Sequence, residues 1–283
     1  MRSFIRLSSL FTQHPSNYLI CETSPYKDCT FNQYKSPILF SATEFQSCTF
    51  TSMTSNDCGA AISFISGGSL SMERSTFREC HTSKDFTDMK GGGAIFITCG
   101  TFYVTSSVFI DCVTKSYGGA IYAKEACTSS VLSITSFISC NALYGGGVMT
   151  HVGPTSTVSS CCYISCKVSN CGGGLYHNSN KPSSRISLSN SLFTDNIAKY
   201  SGQRGGGAFE DYGDSSYQST YSFSYFANNT AQNGVGNDIS LIQKLLPISN
   251  ITHCFSTTSS DSLWNGGYHV NNWLHKLILS VIF

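Results

Sequence analysis

Gly118-Gly119-Ala120-Ile121, then Phe137-Ile138-Ser139-Cys140, then Gly145-Gly146-Gly147-Val148, is the stretch that decides the fold, because both of its halves recur along the chain. The glycine half returns as Gly91-Gly92-Gly93-Ala94-Ile95, Gly172-Gly173-Gly174-Leu175 and Gly205-Gly206-Gly207-Ala208-Phe209, with a degenerate copy at Gly59-Ala60-Ala61-Ile62. The aromatic half returns as Phe45…Cys48, Phe77…Cys80, Phe109…Cys112, Tyr163…Cys166, Phe193…Asn196 and Phe226…Asn229. Successive aromatics are 32, 32, 28, 26, 30 and 33 residues apart, and most of the variation falls between the Cys or Asn and the next glycine run. One part of each repeat is therefore held in register while another accepts insertions. That is how a solenoid behaves: each repeat buries its apolar face only against its neighbours, and its loops emerge on one side.

The segments between loops carry strand chemistry. Ala94-Ile95-Phe96-Ile97-Thr98 and Thr101-Phe102-Tyr103-Val104-Thr105 are rich in β-branched and aromatic residues, and Val131-Leu132-Ser133-Ile134 alternates apolar and polar with period two. Charged residues are only 12% of the 283, and no stretch shows a helical apolar stripe. A propeller blade usually needs about 40–50 residues, longer than these repeats. The expectation is an all-β, right-handed parallel β-helix of about nine coils. Residues 1–25 would form an N-terminal cap or leader, 26–270 the repeats and 271–283 a C-terminal cap or apolar tail. Tyr26-Lys27-Asp28-Cys29 and Ile251-Thr252-His253-Cys254 read as leading and trailing rungs.

Equivalent residues on successive coils lie about 4.8 Å apart, so like stacks on like. The aromatics are expected to stack in the core as one column. Beside it, Cys29, Cys48, Cys80, Cys112, Cys140, Cys166 and Cys254 would form a structural ladder that Asn196 and Asn229 continue with stacked amides. Free Cys is a small hydrophobe, so this ladder requires no catalytic or metal role.

Gly-Gly-Ala-Ile alternating with Phe-x-x-Asn resembles the repeat of the polymorphic outer-membrane proteins, and the Cys-containing form is closer to similar repeats in surface proteins of parasitic protists. The matching residues are Gly92-Gly93-Ala94-Ile95, Gly118-Gly119-Ala120-Ile121, Phe193-Thr194-Asp195-Asn196 and Phe226-Ala227-Asn228-Asn229, and the likeness covers roughly residues 45–240. The resemblance implies a pectin-lyase-like β-helix displayed at a surface, with adhesive or immune-facing roles. The chain departs from the bacterial members in showing no membrane-barrel pattern, so autotransport is not implied.

The same fold hosts polysaccharide lyases and hydrolases, which need converging carboxylates on one face. The densest acidic stretch is Glu210-Asp211-Tyr212-Gly213-Asp214. A solvated loop is its expected setting. In the enzymatic alternative, Glu210, Asp211 and Asp214 are the catalytic candidates. Gly-His-Gly, Arg-x-Lys and Arg-x-Pro-x-x-Arg signatures are absent, and Asn237-Asp238-Ile239 fits the repeat as well as it fits a hydrolase element. With 14 Cys and 7 His a metal is tempting, but there is no Cys-x-x-Cys and no His-x-x-x-His, so no metal or other cofactor is expected. In an oxidising compartment, Cys48 with Cys58 and Cys166 with Cys171 are the disulfide candidates by separation.

Lys plus Arg is 17 against 16 acids, giving a net charge of +1 without a basic run, which disfavours nucleic acid. The glycine runs are not phosphate loops, since no Gly-Lys-Ser/Thr follows them. Fifteen Tyr leave room for stacking on a ligand, and Tyr212, Tyr217 and Tyr221 are the candidate contacts for a host or cell-surface protein or glycan. Alternating wall positions would explain these Tyr equally well. Arg6 and Thr12-Gln13-His14 interrupt the apolar core that a signal peptide needs, and Leu277–Phe283 is far shorter than the roughly 20 residues of a membrane span. The expected location, following the resemblance, is the cell surface or the secreted fraction. Membrane association is expected only through an anchor outside this sequence, and the expected state is a monomer.

Overall fold

The structure is a computed structural model. It describes residues 11–13, 19–21, 25–35, 38–40, 43–65, 68–83, 91–98, 100–124, 127–151, 155–179, 185–201, 205–213, 219–233, 236–242, 251–257, 263–265 and 268–269. Among these there is no helix, and the strands stack as a parallel β-solenoid.

One coil shows how the sequence folds. Ile121–Ala123 lies in a first sheet, Cys127–Ser133 in a second, Ser136–Ile138 in a third and Asn141–Ala142 in a fourth, before the chain re-enters the first sheet through the next glycine run. The four sheets hold 12, 9, 9 and 7 strands. Coil-to-coil pairing is parallel and nearly free of register shifts. The antiparallel pairs sit at the two ends of the first sheet, Phe11–Gln13 on Leu19–Cys21 and Tyr268–His269 on Leu263–Asn265.

Complete coils are fewer than the nine expected. The fourth sheet supports about six full turns.

Three of the four corners of each described coil use one residue with positive φ: second to third sheet, third to fourth, and fourth back to first. In the coil above these are Ile134 (φ 50), Ser139 (φ 53) and Gly145 (φ 60). The first two corners accept Asn, Asp, Ser and even Arg74 and Phe223, whereas the third is always glycine among the described coils. The reason is space. A Cβ on Gly118 (φ 64) would stand 2.1 Å from the Ile121 carbonyl oxygen, and one on Gly119 would stand 2.0 Å from that of Gly146. The glycine run is thus where one coil's backbone lies directly on the next.

The interior aromatic column runs Phe31, Phe50, Phe77, Phe109, Phe137, Tyr163, Phe193, Phe226, with ring centroids 4.6–5.1 Å apart. Phe45 is not a member, contrary to expectation. It sits one sheet earlier, stacked on Tyr26 at 5.1 Å and in register with Met72. The cysteines consequently form two ladders. Cys80, Cys112, Cys140 and Cys166 line the corner between the third and fourth sheets, where Tyr34 and Met53 precede them and Asn196 and Asn229 follow. Cys48 belongs instead to the corner between the second and third sheets, with Cys29, Ser75, Ser107, Thr135, Cys161, Ser191, Ser224 and Cys254. Phe45 and Cys48 share the three-residue spacing of Phe77 and Cys80 by coincidence of two different corners.

The twelve cysteines whose side chains are described are free thiols. Neither disulfide expected from spacing forms, because each pair is split by the wall of the solenoid. Cys48 and Cys166 are in the main core, while Cys58 and Cys171 pack with Phe96, Tyr117, Tyr122 and Tyr176 in a second apolar cluster. Alternation along Ile121–Ala123 places that cluster on the outer face of the first sheet, since Ile121 and Ala123 join the core and Tyr122 does not.

Candidate functional site

The acidic stretch nominated for chemistry lies on the first-sheet strand Phe209–Gly213, next to Leu175–Ser179. Neighbouring residues on a strand face opposite sides, so Glu210 and Asp211 cannot converge. Asp211 points into the lumen in register with His177, and the two are fully buried. The His177 Nδ1 lies 2.9 Å from Asp211 Oδ1, and the Tyr221 hydroxyl donates to Asp211 Oδ2 at 2.5 Å. An ionised carboxylate only accepts, so the imidazole Nδ1 carries the proton. Burial, reinforced by the negative charge of Asp211, pushes the Tyr221 phenol well above its ordinary range.

Glu210 faces the other way, is also fully buried, and accepts from the Gly205 N–H at 3.1 Å through Oε2. The expectation of a solvated acidic loop is therefore wrong for both carboxylates, because each has a hydrogen-bonding partner that the fold brings to it. His177 was not anticipated. It lies 34 residues from Asp211, and only strand register shows that they meet.

The tyrosine candidates separate in the same way. Tyr221 is an interior residue in register with Leu188 and Ile251, so it offers nothing to an external ligand. Tyr212 is half-buried against the second apolar cluster. Tyr217 and Asp214 lie outside the described residues.

The ladder residues do one job with two chemistries. The thiols of Cys112, Cys140 and Cys166 donate to the carbonyls of Phe77, Phe109 and Phe137 at 3.9, 3.7 and 3.6 Å. Asn196 and Asn229 reach the corresponding Tyr163 and Phe193 carbonyls through Nδ2 at 2.9 and 3.0 Å. Each amide oxygen also accepts from the preceding coil, from Cys166 N–H and Asn196 N–H, both at 3.0 Å. Asn229 then hands the network to Asp238, whose carboxylate accepts from Asn229 Nδ2 at 3.0 Å and from the Ser256 hydroxyl. Burial pushes the Cys112, Cys140 and Cys166 thiols well above their ordinary range, which removes the thiolate that nucleophilic or metal chemistry needs. Among the described residues, no three His, Cys, Asp or Glu side chains are grouped to hold a metal ion.

An outward-facing feature remains. On the second sheet, Thr155, Thr157, Arg185, Ser187 and Thr220 line an open trough of about 300 Å³. Strand register aligns Thr155 with Arg185, and Thr157 with Ser187 and then Thr220, whose hydroxyl donates to Ser187 Oγ at 3.2 Å. The lining has hydroxyls and one exposed guanidinium but no carboxylate. Such a surface can hydrogen-bond the hydroxyls of a sugar and pair with an anionic substituent.

No described helix is long and apolar enough to cross a membrane, which leaves β-barrels unaddressed. Scans against protein-family models, curated proteins and solved structures find no match to this chain.

Proposed function

We propose that the protein is a non-enzymatic interaction scaffold, a β-solenoid displayed at a cell surface or secreted, that contacts glycan or protein on a partner cell. The observation that carries this reading is the hydroxyl-lined trough around Arg185, the feature of the described surface with the chemistry of recognition. Two further points support it. The two described catalytic candidates, Glu210 and Asp211, are fully buried and hydrogen-bonded within the fold. The repeat pattern also resembles that of surface-exposed adhesins. An anionic surface glycan suits the trough best, with hydroxyls from three successive coils lying along its length and Arg185 on its acidic group.

The test is a glycan-array screen run beside a polysaccharide-digestion screen on the purified chain. Binding to acidic glycans without cleavage, lost on Arg185→Ala, is the expected result. Cleavage of any polysaccharide would replace this reading with that of a lyase or hydrolase.

A further inference from the structure

The corner between the second and third sheets opens on two thiols. Lys27 is in register with Gln46 on one side of it and Thr30 with Thr49 on the other, so Cys29 stands directly against Cys48 on the next coil. The Thr49 N–H donates to the Cys29 carbonyl at 2.8 Å and holds the two corners together. Coil-to-coil spacing puts their Cα atoms about 4.8 Å apart, within the roughly 4.4–6.8 Å that a disulfide bridges. The Cys48 thiol already reaches toward the preceding coil, donating to the Tyr26 carbonyl at 3.4 Å, while the Cys29 thiol donates to the Lys27 carbonyl at 3.3 Å. Each thiol also acts on the other's ionisation through a side-chain contact.

Access separates this pair from the other stacked thiols. Cys80, Cys112, Cys140 and Cys166 are fully buried, whereas Cys29 is half-buried and covers Cys48 behind it. Position matters as well. Tyr26–Lys27 and Thr30–Asn32 are the end strands of the second and third sheets. An end strand is held by one neighbour where an inner strand has two, so it opens first.

We propose that Cys29 and Cys48 form a modification site, a dithiol that takes a small-molecule disulfide such as oxidised glutathione as its oxidant and becomes a covalent staple between two successive coils. The accessible Cys29 thiolate attacks one sulfur of the oxidant, forming a mixed disulfide and releasing one thiol. Cys48 then attacks Cys29 Sγ, closing the bridge and releasing the second thiol, and its proton ends on that departing group. Two protein thiols are oxidised and one disulfide is reduced to two thiols, so atoms and electrons balance. Cys48 needs no access of its own, because the fold holds its target beside it. Burial raises both thiol pKa values, that of Cys48 to about 12, so the exchange is slow near neutrality and quickens as pH rises. The site shares no residue with the trough around Arg185, so neither proposal depends on the other.

The test treats the folded full chain with oxidised glutathione at mildly alkaline pH and maps its thiols after denaturation. The expected result is loss of the Cys29 and Cys48 thiols, with peptide mapping that joins the two residues and a phosphine reductant that restores both. Cys29→Ser and Cys48→Ser each abolish the cross-link, and Cys58→Ser leaves it intact. The serines suit the fold, because Ser75 and Ser107 already occupy the same corner column. Amide hydrogen exchange gives a second readout that oxidation without a staple does not move. In Tyr26–Lys27 and Thr30–Asn32 it is expected to slow at least about tenfold in the oxidised chain and to recover on reduction. Glutathione that stays on Cys29 as a mixed disulfide would overturn the proposal. So would a bridge from either residue to another cysteine, retention of both thiols, or an oxidised chain whose end strands exchange as before.

Discussion

The same corner of the solenoid is built from thiols between Cys80 and Cys166 and from amides at Asn196 and Asn229. The thiol rungs touch carbonyls at 3.6–3.9 Å and leave little polar capacity to satisfy. The amide rungs use both ends of the side chain at 2.9–3.0 Å and pass their bonds on to Asp238. The lumen changes in parallel. Where Ile97 and Val104 face inward in the earlier coils, His177, Asp211 and Tyr221 do so later. A parallel coil thus tolerates either a greasy or a hydrogen-bonded interior, provided that register repeats. The two solutions should fail under different stresses.

Alkali should break the thiol segment. The folded pKa values of Cys112, Cys140 and Cys166 are raised above the ordinary value of 9.0, so the unfolded chain releases these protons first. The stabilisation is complete below pH 9 and is lost as pH rises toward the folded values. Each thiol gives up about 1.4 kcal/mol per pH unit, or on the order of 4 kcal/mol for the three by pH 10. Urea midpoints measured from pH 8 to 10.5 are expected to fall steeply, and less so when these three residues are alanine.

The polar segment should be broken by substitution instead. Asp211→Ala leaves the His177 imidazole and the Tyr221 hydroxyl without their shared acceptor, a loss of about 3 kcal/mol, readable by urea denaturation. Asn229→Cys converts an amide rung into a thiol rung. It removes the acceptor for two Asn196 N–H groups and one donor to Asp238, and is expected to cost about 2 kcal/mol. No change in melting temperature would mean that the two chemistries are interchangeable.

The smallest effect has the opposite sign. Ile134 is 64% exposed and sits at φ 50, a conformation that β-branched side chains resist. Ile134→Asn is expected to stabilise by about 1 kcal/mol, seen as a higher melting temperature.

The coil was legible in the sequence because glycine is the residue that fits where backbones touch, and from Phe77 onward the aromatic column follows the written spacing. The frame slipped at Phe45 and Cys48. The pattern of a small residue two positions before the aromatic, as in Cys48-Thr49-Phe50 and Ser75-Thr76-Phe77, carries the correct alignment. The left-handed corners were hidden because Arg74, Ile134 and Phe223 occupy positions where Asn or Gly would have announced a turn. The buried His177–Asp211 pair was illegible for another reason: an acidic run after a glycine turn looks solvated until strand register brings a distant imidazole against it.

Hydrogen bonds between coils run along the solenoid axis, so a pull on its two ends loads the rung interfaces in series. The extension of such a filament is governed by its weakest joint. Val113 and Asn141 provide a single aligned pair in the fourth sheet, whereas Lys167–Val168 aligns two residues with Asn141–Ala142. Under tension the chain should therefore lengthen one coil at a time, in a series of small yields rather than one rupture.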